Sequence, residues 1–213
     1  EALVGQGNAL NSIGIAHKNR AAYADALRDF AAASEFFQQA DDKLRLAAVF
    51  NNIGTVHDAV GSYDQALEAY LKALRIYEDE KIERNMAVVT GNVANIYYYL
   101  GDHERSLEYR LRALEIAERL QDEFGIAHLL GNLSSIYKSR SEYDRALQTL
   151  ERAQGIFRSL GERRYEAVTQ VQMASIQALQ GKPVQAIRQM KKAAHSLQEI
   201  GARGDYCEAL LQM

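Results

Sequence analysis

Proline occurs once in these 213 residues, cysteine once, and tryptophan not at all. A lone cysteine, Cys207, makes no internal disulfide and no cysteine metal cage, which suits a reducing compartment. With Pro183 the only proline, little interrupts helix, and abundant Ala, Leu, Gln, Glu and Arg favour it. An all-α chain is expected. No run of eighteen apolar residues occurs, and Glu1-Ala-Leu-Val-Gly-Gln-Gly7 does not begin a signal peptide, so no membrane partner and a cytoplasmic location are expected.

Other absences exclude chemistry. The sequence has neither a phosphate-cradling glycine loop nor a nucleophile elbow. The five histidines (His17, His57, His103, His128 and His195) fall at no metal or catalytic spacing. We therefore expect no enzyme, no cofactor and no metal. A formal charge of −3 is too small to attract a polyanion, and no basic stripe accompanies Tyr97-Tyr-Tyr99, so no nucleic-acid partner is expected. The charge is uneven: residues 47–126 carry eight Lys and Arg against fourteen Asp and Glu, whereas 127–200 carry eleven against six. Head-to-tail contact between copies, a possible homo-oligomer, would use that tilt; ordinary solvated helix faces produce it too.

What the chain does have is a period. The stretch 51–77 returns in phase at 91–117 and 131–157, and more loosely at 11–37 and 171–197, each copy 40 residues after the last. A fixed period in this range marks a solenoid, whose function lies on a repeated surface rather than in one pocket. We expect a single array over 1–213 with repeats at about 7–40, 47–80, 87–120, 127–160 and 167–200, and 201–213 starting a sixth. That sixth copy stops mid-helix, so the chain is expected to be an excerpt from a longer protein.

Each repeat reads as helix, stop, helix, with helices of about 15–18 residues, the first over 7–20. Apolar residues at spacings of three and four (Ala26, Leu27, Phe30, Ala33, Phe36, Phe37) form one helical stripe. Gly61, Gly101 and Gly181 suit left-handed helix ends, and Pro183 suits a first helical turn. Ser62 with Gln65 predicts a capping box. Small residues hold fixed phases: Ala33, Ala73, Ala113, Ala153 and Ala193; Ala26, Ala66, Ser106, Ala146 and Ala186; Gly14, Gly54, Ala94, Ser134 and Ala174. Helices packed 8–10 Å apart require such residues. Ile13, Ile53, Val93, Leu133 and Met173 are expected as the knobs between them.

The stretch Asn52-Ile-Gly-Thr-Val-His-Asp-Ala-Val-Gly-Ser-Tyr-Asp-Gln-Ala-Leu-Glu-Ala-Tyr-Leu-Lys-Ala-Leu74 resembles the tetratricopeptide repeat, with its Leu-Gly-x-x-Tyr, Gly-x-Tyr and Ala-aromatic-Ala pattern. Asn92-Val-Ala-Asn-Ile-Tyr97 and Asn132-Leu-Ser-Ser-Ile-Tyr137 match it too. The unit is 40 residues rather than the usual 34, similar to Pins-type adaptors, kinesin light chains and bacterial signalling members. The resemblance implies an α-solenoid, a right-handed superhelix whose first helices line a concave groove. It also implies a non-catalytic scaffold or adaptor that binds a peptide or partner helix there. A sensory or regulatory segment of a larger signalling enzyme, of cyclase or kinase type, and a self-assembling scaffold stand as alternatives.

The groove positions then fall on Asn51, Thr55, Asn95 and Ser135, with Asp58, Tyr98, Tyr99 and Lys138 further along and His128 nearby. Asn52, Asn92 and Asn132 form an amide ladder, one rung per repeat, able to hold an extended peptide backbone or to join neighbouring repeats. Tyr98 and Tyr99 offer rigid area with a polar tip to a ligand, or pack between helices. The lysine pattern of a chaperone-type carboxylate clamp is missing, so a chaperone C-terminus is not the expected ligand.

Overall fold

A computed structural model describes residues 1–211, in which eleven helices and no strand occur. They are α1 (Ala2–Asn19), α2 (Tyr23–Gln39), α3 (Lys43–Ala59), α4 (Tyr63–Asp79), α5 (Glu83–Tyr99), α6 (His103–Arg119), α7 (Glu123–Ser139), α8 (Tyr143–Ser159), α9 (Arg163–Leu179), α10 (Pro183–Glu199) and α11 (Arg203–Leu211). From α2 to α10 every helix has 17 residues. The first helix begins five residues earlier than its pattern suggests. Gln212 and Met213, the end of the expected sixth copy, lie outside the described residues.

The forty-residue unit divides into two equal halves. A left-handed residue closes a helix at Ala21, Asp41, Gly61, Lys81, Gly101, Gln121, Ser141, Gly161, Gly181 and Gly201, one every twenty positions. At Gly61 (φ 73°) the glycine amide donates to the Asp58 carbonyl at 3.0 Å and the Ser62 amide to the His57 carbonyl at 2.8 Å. This pair satisfies carbonyls that the helix end would otherwise leave open. The expected capping box at Ser62 does not form: Ser62 is the N-cap but its side chain bonds no helix amide. The caps here have ψ of 67–81° at Ser62, Asp42 and Asp122 rather than the extended ψ usual at that position. The longer carboxylates of Asp42, Asp102 and Asp122 do reach an amide, at 3.1, 3.0 and 3.0 Å.

The chain forms two compact units, Glu1–Ile116 and Ala117–Met213. In the first, one cluster joins Ala26, Phe30, Ala33, Phe37, Val49 and Val56, and another joins Ala47, Ala66, Tyr70, Ala73, Val93, Ile96 and Tyr97. In the second, Ala146, Leu150 and Ile176 pack together, as do Ala174, Ala186 and Met190, and a further cluster surrounds Val171, Ala193 and Leu197. The small-residue phases are sealed: Ala33, Ala73, Ala113, Ala153 and Ala193 are all without exposure. Among the expected knobs Val93 and Leu133 are buried, Ile53 packs on the hairpin before it, and Ile13, in the first hairpin, is 47% exposed. Among the described residues no helix is long and apolar enough to cross a membrane.

Candidate functional site

In the first unit the first helices α1, α3 and α5 carry the expected groove positions. Asn52 Nδ2 donates to Asn11 Oδ1 at 3.0 Å, and Asn92 Nδ2 to Asn51 Oδ1 at 3.1 Å. These two rungs therefore bond not each other but the Asn11 and Asn51 phase of the preceding hairpin, side chain to side chain. Each amide has two donors and a two-lone-pair acceptor, so these bonds leave capacity for a ligand. Thr55 turns its hydroxyl back onto the Asn52 carbonyl at 2.7 Å. Asp58 is half-buried beside Tyr70, and desolvation raises its carboxyl above the ordinary aspartate range.

Tyrosines close this face toward the end of α5. Tyr99 is 56% exposed and stacks on Tyr63, with centroids 5.2 Å apart. Tyr98 is half-buried, set edge-on to Tyr99 at 6.0 Å and tilted against His103 at 5.3 Å. Asn95 does not wait for a ligand: its Oδ1 accepts from Arg110 Nη2 at 2.9 Å. Arg110, on α6, is a site residue that sequence reasoning passed over. The signal was its register, since the positions forty before and after it are Tyr70 and Leu150.

In the second unit, α7 carries Asn132 and Ser135, both exposed, and Lys138, whose Nζ donates to Ser175 Oγ at 3.2 Å. In the first unit the Asn11 and Asn51 phase supplies the acceptor; its next residue, Gly91, has no side chain to do so. His128 sits among aromatic rings: Phe124 at 4.6 Å, Tyr165 at 4.7 Å and Phe157 at 5.4 Å, all edge to face. Burial among them holds its imidazole below the ordinary histidine range, against the pull of Asp122 and Glu162. His17 Nδ1 lies 2.6 Å from Asp29 Oδ2 across the first hairpin, and desolvation likewise lowers His57. Among the described residues no three His, Cys, Asp or Glu side chains come together as a metal site.

The family model described as the tetratricopeptide repeat matches residues 5–79, 85–159 and 125–199. No curated protein matches the chain. Among solved structures it is similar to aspartyl phosphate phosphatase F from Bacillus subtilis, with a TM-score of 0.85 and 17% identity, covering 95% of this chain and 53% of that one. It is similar to a kinesin light chain from Podosopora anserina with nearly identical TPR-like repeats, at a TM-score of 0.80 and 11% identity over 95% and 99% of the two chains. A Rap conjugation gene regulator of the plasmid pLS20, solved in complex with the Phr* peptide, gives a TM-score of 0.70 and 14% identity over 92% and 54%. The chain thus spans about half the length of the phosphatase and of the Rap regulator.

Proposed function

The chain belongs to the tetratricopeptide repeat family, and from that premise we propose that it is a non-catalytic interaction domain whose first-helix face takes an extended peptide or partner helix. The observation that carries this reading is the amide series of Asn11, Asn51, Asn52 and Asn92, linked across three successive first helices, the last of which also carries the half-buried Tyr98 and the exposed Tyr99. Amides at a regular repeat spacing match the donors and acceptors of an extended backbone whatever its sequence. Tyr98 and Tyr99 add the anchor area from which affinity in such contacts mainly comes. That one structural neighbour was solved with a peptide supports the same reading.

The test is selection from a random-sequence peptide library on the protein, followed by affinity measurement on Asn52→Ala combined with Asn92→Ala. Losing two amide contacts should weaken binding by about tenfold or more, at unchanged helicity by circular dichroism. Full affinity in a folded double variant would remove the amides from the account. A second reading, a regulatory segment of a larger signalling protein, is favoured by the chain's covering only 53% and 54% of two of its structural neighbours. In that case ligand binding here would be read out by a domain elsewhere in the same polypeptide.

A further inference from the structure

One phase of the second helices points straight into the hairpin core. Phe30 and Leu150 have no exposure there, Tyr70 has 1% and Met190 has 2%. The third copy breaks the series with Arg110, only 5% exposed. Its Nη2 is used by Asn95, but Nε and Nη1 have no hydrogen-bond partner. Among the described residues it forms no ion pair: burial pulls the guanidinium below the usual arginine range, against the phenols of Tyr98 and Tyr99.

A buried cation without a counter-charge is among the costliest arrangements a fold can hold. Packing does not require it, because leucine and methionine fill the same position one and two hairpins along the register as buried apolar side chains. A guanidinium with donors still unused suits a carboxylate oxygen, to which Nε or Nη1 can give a single charge-assisted N–H bond. The groups around them, Asn95, Tyr98 and Tyr99, belong to α5, on the face proposed above for a peptide.

We infer that Arg110 is the specificity anchor for an aspartate or glutamate side chain of the bound peptide, an inference that rests on the peptide-binding reading. An acidic side chain, rather than a terminal carboxylate, fits the depth of the guanidinium. A carboxylate on a methylene stem can enter from the side of the peptide, and Tyr98 or Tyr99 must move aside to admit it, because Nε and Nη1 are sealed from solvent. The surrounding segment 47–126 is acidic, so the preference is local and comes from this one cation rather than from a general field.

The experiment selects a random-sequence peptide library on the wild-type protein and on Arg110→Met and Arg110→Leu, the residues that Met190 and Leu150 supply at this phase. Wild type should enrich peptides with one fixed internal Asp or Glu, and both variants should lose that position. Changing the acid of a selected peptide to its amide should weaken wild-type binding by about tenfold or more and leave binding to Arg110→Met unchanged. Both variants should melt at or above the wild-type temperature, because an uncompensated buried charge has gone. Peptides enriched without an internal acid, or with only a terminal carboxylate, overturn the assignment and leave peptide binding standing. Enrichment of no peptide at all removes both readings. Acid dependence that persists in Arg110→Met, or a lower melting temperature in both variants, identifies Arg110 as a structural group and overturns the inference.

Discussion

Gly14 and Gly54 are small because of what lies across the hairpin. A Cβ at Gly54 would stand 2.5 Å from Tyr70 Cε1, and one at Gly14 would stand 2.6 Å from Phe30 Cε1. Where the second helix carries Leu150 or Met190 instead of a ring, the first helix carries Ser134 or Ala174. Volume is thus shared between two positions sixteen residues apart, as close packing demands. Gly54→Ala should cost about 1–3 kcal/mol in chemical denaturation, because the ring must shift. In a Tyr70→Leu background that cost should fall to less than half, and an equal cost in both backgrounds would refute the pairing. The small phases themselves were legible from spacing. Which partner fills the space was not, because that depends on how two helices face each other.

At the scale of the element, the turn is the recurring part. Five of the ten left-handed positions are not glycine: Ala21, Asp41, Lys81, Gln121 and Ser141. A side chain there costs about 1–2 kcal/mol in backbone strain, partly offset because glycine gives more freedom to the unfolded chain. Gln121→Gly, at φ 54° on the surface, should therefore stabilise the protein by about 0.5–1 kcal/mol, read as a raised denaturation midpoint at unchanged slope. Gly61, Gly101 and Gly181 announced their turns in the sequence. The five non-glycine positions did not, since alanine, aspartate, lysine, glutamine and serine rarely adopt this conformation. Second helices also pair across neighbouring hairpins, Arg112 with Glu78 in the first unit and Arg152 with Glu118 in the second, both 34 residues apart. These exposed pairs contribute little each, about 0–1 kcal/mol, and set register more than stability.

Across the whole molecule, acid should loosen both units in the same direction. Burial holds His57 in the first unit and His128 in the second below the ordinary histidine range. Unfolding returns each to about 6.5, so in mildly acid solution the unfolded chain takes up protons that the folded chain refuses. Their contribution is full above that range and drains as pH falls. The denaturation midpoint should drop between about pH 7.5 and 5.5, and His57→Tyr combined with His128→Phe should flatten that part of the curve. Tyr97 and Tyr137 already occupy the His57 phase, which makes that replacement compatible with the stack. A double variant with the wild-type pH profile would show that other groups control it.

Fold class, helix count per repeat and the alternation of small and large residues were all readable because they recur. The proposed binding face was readable only as a set of phases. His128 lies at a plausible phase yet is enclosed by Phe124, Phe157 and Tyr165, which come from three helices and have no common spacing. Arg110 looked like any solvated helix arginine until its register with Phe30, Tyr70, Leu150 and Met190 showed where it points.

The twenty-residue beat of the turns has a consequence for how such a chain can change length. Gain or loss of forty residues keeps every later helix in its role, so tandem duplication by misaligned recombination leaves a working stack. A shift of twenty also joins smoothly, because both kinds of junction use one geometry, but it exchanges the first and second helices of every later hairpin. The backbone would tolerate that event, and only the side chains would forbid it.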